Sequence, residues 1–294
     1  MEGGTRMIPP APHDERVSPM RRLGRRFRPR TRPRFRGLSF NRMLPNILTM
    51  LGLCAGLTAM RFAVEGRFGV AAAAILVAGA IDGLDGRLAR LLKVTSRFGA
   101  EFDSLSDFLC FGVAPAFIMY LWSLHRFGGY GFVPCLIFAV CMALRLARFN
   151  AALDPPDAVP THAYVYNFFT GVPAPAGALL VLFPLFVGLE AKSLGWDGLL
   201  AMAKYPLLPA IVLMGTALLL VSTLPVWSFK NFKIPSQFVL PTLLGVGLYA
   251  ALLVADPWAA MAAGGLIYLV MLPFSRRSFH RLRREAEALR EPEV

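Results

Sequence analysis

The chain has 294 residues, 56% of them hydrophobic and only 17% charged, and its formal net charge is +13. So few charged residues cannot cover so large an apolar content, which excludes an ordinary soluble domain. Several long apolar runs instead predict an integral membrane protein. No cysteine pair has CxxC spacing and the four histidines are scattered, which argues against a zinc site.

Residues 1–42 are the first region in chain order, and we predict that they form a disordered, arginine-rich tail. The region holds twelve arginines against three acidic residues and contains no apolar run of the kind found in a signal peptide. Its basic run RRLGRRFRPRTRPRFR also fits a nucleic-acid-binding segment. A basic tail beside membrane spans has a simpler explanation, because positive charge stays on the cytosolic side and attracts anionic lipid. We therefore expect no nucleic-acid partner.

Apolar segments of spanning length follow the tail, and they predict an all-α integral membrane protein with about eight transmembrane helices. The predicted spans are 46–63, 68–89, 99–122, 130–149, 173–189, 205–224, 238–255 and 257–274. Pro45 is predicted to lie in the first turn of the first span, where its missing N–H costs nothing. The connection Ala151–Val172 is too polar and too proline-broken to span, and long connections of this kind are often functional.

The distribution of basic residues predicts the orientation. With both termini in the cytosol and an even number of spans, 26 of the 31 lysines and arginines fall on the cytosolic side, as the positive-inside rule requires. Residues 275–294, which hold six arginines, then form a basic cytosolic tail. The same orientation places the stretch Asp82–Asp107 at the cytosolic end of the second and third spans.

That stretch places five acidic residues where the pattern predicts membrane. A carboxylate at the centre of a bilayer costs about 2.5–3.5 kcal/mol, so such groups need a polar cavity, a cation or a chemical role. Helical periodicity puts Asp82 and Asp85 on one stripe of the second span, and it puts Asp103 and Asp107 on one stripe of the third. Glu101 falls on the opposite side of its helix and is excluded from the set.

Facing stripes on two antiparallel helices would bring the four carboxylates together. Such a set of hard oxygen ligands suits magnesium, manganese or calcium rather than zinc, and it can hold the two cations that clamp a phosphate group. Small neighbours leave room for a ligand close to the backbone, and Arg90 is placed to bind phosphate oxygens. The alternative is a hairpin neutralised by salt bridges from Arg87, Arg90, Lys93 and Arg97, in which the small residues have no role.

The same stretch fits the signature D-x-x-D-G-x-x-A-R-x8-G-x3-D-x3-D at every position, and in this the chain resembles the CDP-alcohol phosphotransferase family. The matching residues are Asp82, Asp85, Gly86, Ala89, Arg90, Gly99, Asp103 and Asp107. The flanking sequences LPNILTMLGLCAGL, TSRFGAEFDSLSDFLCFGVAPA, ALRLARFN and FTGVPAPAGA are similar to those of the bacterial membrane-bound phosphatidylserine synthases within that family. The likeness covers about residues 42–235. Cys110 stands where serine is expected, and the arginine-rich tail has no counterpart.

The resemblance implies roles for individual residues. Asp82, Asp85, Asp103 and Asp107 would bind two divalent cations, Mg²⁺ or Mn²⁺, and Asp107 would also be the catalytic base for the acceptor hydroxyl. The CDP pocket would be shaped by Asn46, Thr49, Gly86, Ala89, Arg90 and Gly99. Arg145 and Arg148 would bind the acceptor or a lipid phosphate, because arginine suits carboxylate and phosphate groups. The alternative for Asn46 and Thr49 is an ordinary helix start, and for the two arginines it is ordinary charge at a helix end.

The resemblance also predicts the activity, which is transfer of the phosphatidyl group of CDP-diacylglycerol to L-serine. The catalytic core would span residues 43–235, with 236–274 as additional transmembrane helices. A homodimer in the bacterial cytoplasmic (inner) membrane is implied as well. The alternatives are the same chemistry with glycerol 3-phosphate, inositol phosphate or choline as acceptor, a divalent-cation transporter that uses the aspartates as a transit site, and a membrane scaffold.

Overall fold

A computed structural model describes residues 40–94, 96–151, 168–227 and 236–288, which are almost entirely helical. The α-helices, in chain order, are α1 (Phe40–Val64), α2 (Phe68–Leu92), α3 (Arg97–Asp107), α4 (Ala114–Trp122), α5 (Phe132–Ala151), α6 (Ala174–Ser193), α7 (Asp197–Ala203), α8 (Leu207–Val221), α9 (Ser236–Ala255) and α10 (Pro257–Ala288). A π-helix, Phe108–Val113, joins α3 to α4, and a 3₁₀ segment, Leu124–Gly131, leads into α5. The predicted all-α class is confirmed.

The number of membrane spans also agrees with the sequence. Within the described residues, seven helical segments are long and apolar enough to cross a membrane. The short helix α7 and α8 meet at a bend of 48°, and together they have the length and composition of an eighth span. The third span, Arg97–Trp122, contains α3, the π-helix and α4. The predicted total of about eight spans therefore holds when the bent pair is counted as one.

The start of the first span differs from the prediction. Helix α1 begins at Phe40, so Pro45 lies inside it rather than in its first turn. Proline is tolerated there because it removes only one backbone hydrogen bond close to the helix start. The carbonyl oxygen of Pro45 lies 3.1 Å from Thr49 Oγ1, one helical turn later. Residues 40–42 of the predicted tail therefore belong to α1, and residues 1–39 lie outside the described part of the chain.

Helix α6 lies at the centre of the bundle. In its spanning window 61% of the residues are buried, and Leu182, Leu185 and Phe186 are completely buried. Helices α4, α8 and α10 pack against it. Helix α9 is the opposite case, because none of its window is buried and it packs on α10. An apolar helix exposed in this way has the character of a lipid-facing span.

A short pair of strands closes one end of the bundle. Strand β1 (Phe168–Thr170) pairs antiparallel with β2 (Pro225–Trp227), with Phe168 opposite Trp227. Strand β1 lies in the connection Ala151–Val172, where no strand was predicted. Residues 152–167 of that connection lie outside the described residues.

Helix α10 continues beyond residue 274, where the last span was predicted to end, as far as Ala288. Ser275 is only 2% exposed, and its hydroxyl donates to the carbonyl of Pro225 at 2.8 Å. The first residue of the predicted C-terminal tail is therefore packed into the bundle beside β2.

Candidate active site

Four aspartates meet where α2 and α3 run antiparallel. Asp85 and Asp82 lie seven and ten residues before the end of α2, and Asp103 and Asp107 lie six and ten residues after the start of α3. At about 1.5 Å per residue, Asp85 and Asp103 stand at one depth and Asp82 and Asp107 at another, roughly 10 and 15 Å from the hairpin end. The stripes predicted from helical periodicity therefore face each other.

The turn between these helices is closed by local polar contacts. Lys93 ends α2 in the left-handed conformation, with φ of 52°, and the N–H of Val94 bonds to the carbonyl of Ala89 at 3.1 Å. At the start of α3, the Ser96 hydroxyl accepts a hydrogen bond from the N–H of Gly99 at 3.0 Å. Such caps satisfy backbone groups that a helix end leaves without partners, and they fix how α2 and α3 face each other.

Three of the carboxylates have the spacing of a cation site. Asp82, Asp85 and Asp103 each place one oxygen within 4.8 Å of the others. Opposite ligand oxygens around a hard divalent cation stand about 4–5 Å apart, so the donor set fits one. The carboxyl group of Asp107 contacts that of Asp82, which places it beside this trio. Glu101 is exposed and lies outside the trio, as predicted.

Helix α1 contributes a hydroxyl that fixes one of these carboxylates. Thr49 is 6% exposed and Asp85 is 4% exposed, and Thr49 Oγ1 lies 2.7 Å from Asp85 Oδ2, to which it donates. The Ser106 hydroxyl donates in turn to the carbonyl of Thr49 at 3.4 Å. These contacts tie α1 to both α2 and α3. An ionised carboxylate accepts about four hydrogen bonds or ligand contacts, so Asp85 keeps capacity for a cation.

A cavity of about 320 Å³ opens between α1, α2 and α3 beside the aspartates. All six residues predicted to shape the CDP pocket line it, together with two aspartates: Asn46, Thr49, Asp85, Gly86, Ala89, Arg90, Gly99 and Asp103. Asp82 and Asp107 line a much smaller void of about 10 Å³ next to Thr49. The structure thus brings the predicted pocket residues together, while their binding of CDP stays a prediction.

The two glycines of the cavity wall have different surroundings. A Cβ atom at Gly86 would meet only the Arg90 guanidinium, 3.9 Å away, so this glycine leaves open space. A Cβ atom at Gly99 would stand 3.0 Å from Asn46 Oδ1 and 3.1 Å from Ser96 Oγ. Gly99 therefore allows α1 and α3 to approach each other, and Gly86 is the position where a ligand can reach the backbone.

The four aspartates form no ion pair with any described residue. The ion pairs found in the described part of the chain belong to Glu65, which contacts Arg61 and Arg67. Arg87, Arg90, Lys93 and Arg97, the candidates for neutralising the aspartates, do not contact them in this way. For the described residues, the alternative of a salt-bridged structural hairpin is therefore wrong.

The two arginines predicted to bind the acceptor occupy different environments on α5. Arg145 is half-buried, its Nε donates to the carbonyl of Val172 at 2.5 Å, and its guanidinium is near enough to attract the Asp107 carboxylate. Arg148 instead donates to the carbonyls of Val221 and Ser222 at 3.0 and 3.4 Å. Arg145 thus interacts electrostatically with Asp107, whereas Arg148 holds the end of α8. The acceptor role of both residues stays a prediction.

Sequence reasoning missed part of the site. Pro45, Val94, Ser96 and Ala100 also line the cavity. Ser96 carried a usable signal, because serine just before a helix is a preferred N-cap. The π-helix that starts directly after Asp107 had no such signal, although π-helical turns are frequent at functional sites.

Comparisons with known proteins match most of the chain to one family. A family model described as CDP-alcohol phosphatidyltransferase matches residues 42–210, and one described as CDP-alcohol phosphatidyltransferase 2 matches residues 237–273. A CDP-diacylglycerol–serine O-phosphatidyltransferase of Mycobacterium leprae (strain TN) is 38% identical over 83% of this chain and 78% of its own length. A relative of the same name from Helicobacter pylori (strain ATCC 700392 / 26695) is 34% identical over 78% of this chain and 88% of its own length. Another from Bacillus subtilis (strain 168) is 30% identical over 53% of this chain and 83% of its own length.

Proposed function

Because the chain belongs to the CDP-alcohol phosphatidyltransferase family, we propose that it transfers the phosphatidyl group of CDP-diacylglycerol to the hydroxyl of L-serine, giving phosphatidylserine and CMP. The observation that carries this proposal is the cluster of aspartates without ion pairs, among the described residues, beside a cavity of nucleotide size. The names of the relatives from M. leprae and H. pylori support serine as the acceptor.

In this proposal the cavity receives the CDP part of the donor, while the acyl chains stay in the bilayer. Arg90 binds diphosphate oxygens from the cavity wall, Gly86 lets the ligand approach the backbone, and Asn46 faces the nucleotide. Two divalent cations, Mg²⁺ or Mn²⁺, held by Asp82, Asp85, Asp103 and Asp107, would neutralise the diphosphate and the charge that develops on CMP.

Asp107 accepts the proton of the serine hydroxyl. As that proton leaves, the serine oxygen forms a bond to the phosphorus that carries diacylglycerol, and the bond from this phosphorus to the CMP oxygen breaks. Asp107 suits the role because its carboxyl group contacts that of Asp82 and interacts electrostatically with Arg145. Arg145 binds the serine carboxylate, since its terminal nitrogens have no hydrogen-bond partner among the described residues. Arg148 holds the end of α8 in place.

We also propose that the protein is a homodimer in the bacterial cytoplasmic membrane, with both termini in the cytosol. The excess of arginine in the two terminal regions supports this orientation, and it lets serine reach the aspartates from the cytosol. A C-terminal fusion to a reporter that is active only in the cytosol tests the orientation. Activity of that reporter is expected, and its absence would contradict the proposed topology.

The proposed reaction is tested with the purified protein, CDP-diacylglycerol, Mg²⁺ or Mn²⁺, and a panel of acceptors containing L-serine, glycerol 3-phosphate, inositol phosphate and choline. We expect CMP release that depends on L-serine, with phosphatidylserine formed in equal amount. CMP release that needs another acceptor would keep the chemistry and reject serine. Cation flux into liposomes without CMP release would reject the enzyme and support the transporter alternative.

A further inference from the structure

The hydroxyl of Tyr268 on α10 is buried and has no hydrogen-bond partner among the described residues. This is unusual, because nearly all buried hydroxyl groups in folded proteins are hydrogen-bonded. Leaving one unpaired costs free energy that a partner would recover. A group of the substrate can be that partner if Tyr268 faces the reaction centre.

The packing of α10 directs Tyr268 into the bundle. The inward-facing residues of the helix recur at intervals of three and four, and so they form one stripe: Trp258, Met261, Gly265, Tyr268, Leu272 and Ser275. Gly265 lies against Phe183 of α6, and the Ser275 hydroxyl binds the carbonyl of Pro225 in β2 at 2.8 Å. These contacts fix the rotation of α10 on both sides of Tyr268.

The strand pair connects this helix to the arginine beside the aspartates. Next to β1, the N–H of Gly171 donates to the carbonyl of Leu224 at 2.8 Å, and the carbonyl of Val172 accepts from Arg145 Nε. Ser275 is held by Pro225, the residue that follows Leu224. Arg145 and Tyr268 are thereby brought close enough to interact electrostatically, and Arg145 interacts in the same way with Asp107.

We propose that Tyr268 is a specificity-determining residue of the acceptor site, where its hydroxyl donates a hydrogen bond to the serine carboxylate that Arg145 binds. This inference rests on the proposed function and extends it to the last helix, outside the aspartate signature. A carboxylate accepts from a guanidinium and a phenol at once, because its two oxygens offer about four acceptor positions. The serine hydroxyl is then left free to point toward Asp107.

The test compares Tyr268→Phe with Tyr249→Phe in the full-length protein. Both variants remove a hydroxyl from the α9–α10 pair, but the Tyr249 hydroxyl already donates to the carbonyl of Ala260 at 3.2 Å. For Tyr268→Phe we expect KM for L-serine to rise about tenfold or more, as for a lost hydrogen bond to a charged group. KM for CDP-diacylglycerol should stay the same. Tm should not decrease, because the Tyr268 hydroxyl has no hydrogen bond to lose among the described residues of the free protein. For Tyr249→Phe we expect an unchanged KM for L-serine and a slightly lower Tm.

A second substrate identifies the group that Tyr268 binds. L-Serinamide keeps the hydroxyl and the amine of serine but replaces the carboxylate by a neutral amide. The wild type should have a much higher kcat/KM for L-serine than for L-serinamide. In Tyr268→Phe, the ratio of these two values should fall by about the factor by which KM for L-serine rises. A rise in KM with an unchanged preference would contradict the carboxylate contact.

Two further outcomes overturn the inference. One is an equal KM for L-serine in Tyr268→Phe and Tyr249→Phe. The other is a loss of Tm and kcat at constant KM, which marks a purely structural residue. Failure of the proposed function is distinguished from these, because the wild-type protein itself would then form no phosphatidylserine.

Discussion

The two ends of α2 contain similar residues and use them differently. At the end where α1 meets α2, Glu65 forms ion pairs with Arg61 at 2.9 Å and with Arg67 at 3.7 Å. At the other end, Asp82 and Asp85 lie close in sequence to several basic residues, yet no described basic residue forms an ion pair with them. Both ends carry acidic and basic side chains, so composition alone does not decide whether charges neutralise each other.

The difference follows from where the side chains point. Arg61 and Glu65 are one helical turn apart on an exposed surface, where the pair can form in water. The aspartates lie on the inward stripes of α2 and α3, whereas Arg87 and Lys93 are exposed and point elsewhere. The carboxylates near the cavity are therefore not neutralised by a described basic side chain and remain available to a ligand.

The largest expected difference is in catalysis. Asp103→Asn keeps the size of the side chain but removes a charge from the cation site, and CMP release should fall about 100-fold or more. The matched control is Glu65→Gln, which removes an acidic charge at the other end of α2 and should leave the rate within about twofold, because exposed ion pairs contribute little. Steady-state assays of both variants measure this. Equal losses would show that the contrast between the two ends has no functional meaning.

The second expected effect is on stability. Added Mn²⁺ should raise Tm of the wild type, and at a concentration 100 times its Kd it would contribute about 2.7 kcal/mol. Asp103→Asn should lose most of this response, whereas Glu65→Gln should keep it. Without cations, Asp103→Asn should be at least as stable as the wild type, because like charges close together are unfavourable. A thermal response to Mn²⁺ that is identical in all three proteins would place the cation elsewhere.

A smaller effect is expected from the hydroxyl that positions Asp85. Thr49→Val keeps the shape of the side chain and removes the 2.7 Å hydrogen bond to Asp85. A lost hydrogen bond to a charged group predicts a decrease of about tenfold in kcat/KM. Thr49→Ser retains the hydroxyl and serves as the control, with activity close to wild type. Equal losses in Thr49→Ser and Thr49→Val would contradict the role of the hydrogen bond, because Thr49→Ser retains the hydroxyl.

The smallest effect concerns the two turns. The turn before α2 uses Gly66 at φ +73°, whereas the turn after it uses Lys93 at φ +52°. A left-handed backbone costs a residue with a side chain about 1 kcal/mol more than it costs glycine. Lys93→Gly should therefore raise the free energy of unfolding by up to that amount, and Gly66→Ala should lower it similarly. Unfolding measurements that show the same sign for both variants would contradict this explanation.

Much of the site could be predicted because it depends on helical periodicity alone. Asp82, Asp85, Asp103 and Asp107 fall on two stripes whatever the rest of the chain does, and a short turn forces those stripes to face each other. Gly86 and Arg90 followed from the same geometry, since they share the stripe of Asp85, whereas Asn46 and Thr49 were expected only from the family resemblance. The number of spans followed from apolar length.

The remaining features depend on contacts between distant segments. Arg145 and Arg148 look alike in sequence, but the position of α8 lets Arg148 donate hydrogen bonds to carbonyl groups at the end of that helix. The pairing of β1 with β2 joins segments far apart in the chain and provides the carbonyl of Pro225 that binds Ser275. Pro45 was misplaced because the polar residues Asn41 and Arg42 interrupt the apolar pattern in the first turn of α1.

The central claim is that the aspartate hairpin carries out phosphatidyl transfer, and Asp107→Asn tests it most directly. Labelled L-serine, CDP-diacylglycerol and Mn²⁺ are incubated with wild-type and variant protein of equal purity and equal Tm. The account predicts that the wild type moves label into lipid with release of an equal amount of CMP, and that Asp107→Asn is slower by about 100-fold to 10,000-fold. Turnover by Asp107→Asn at the wild-type rate would contradict it.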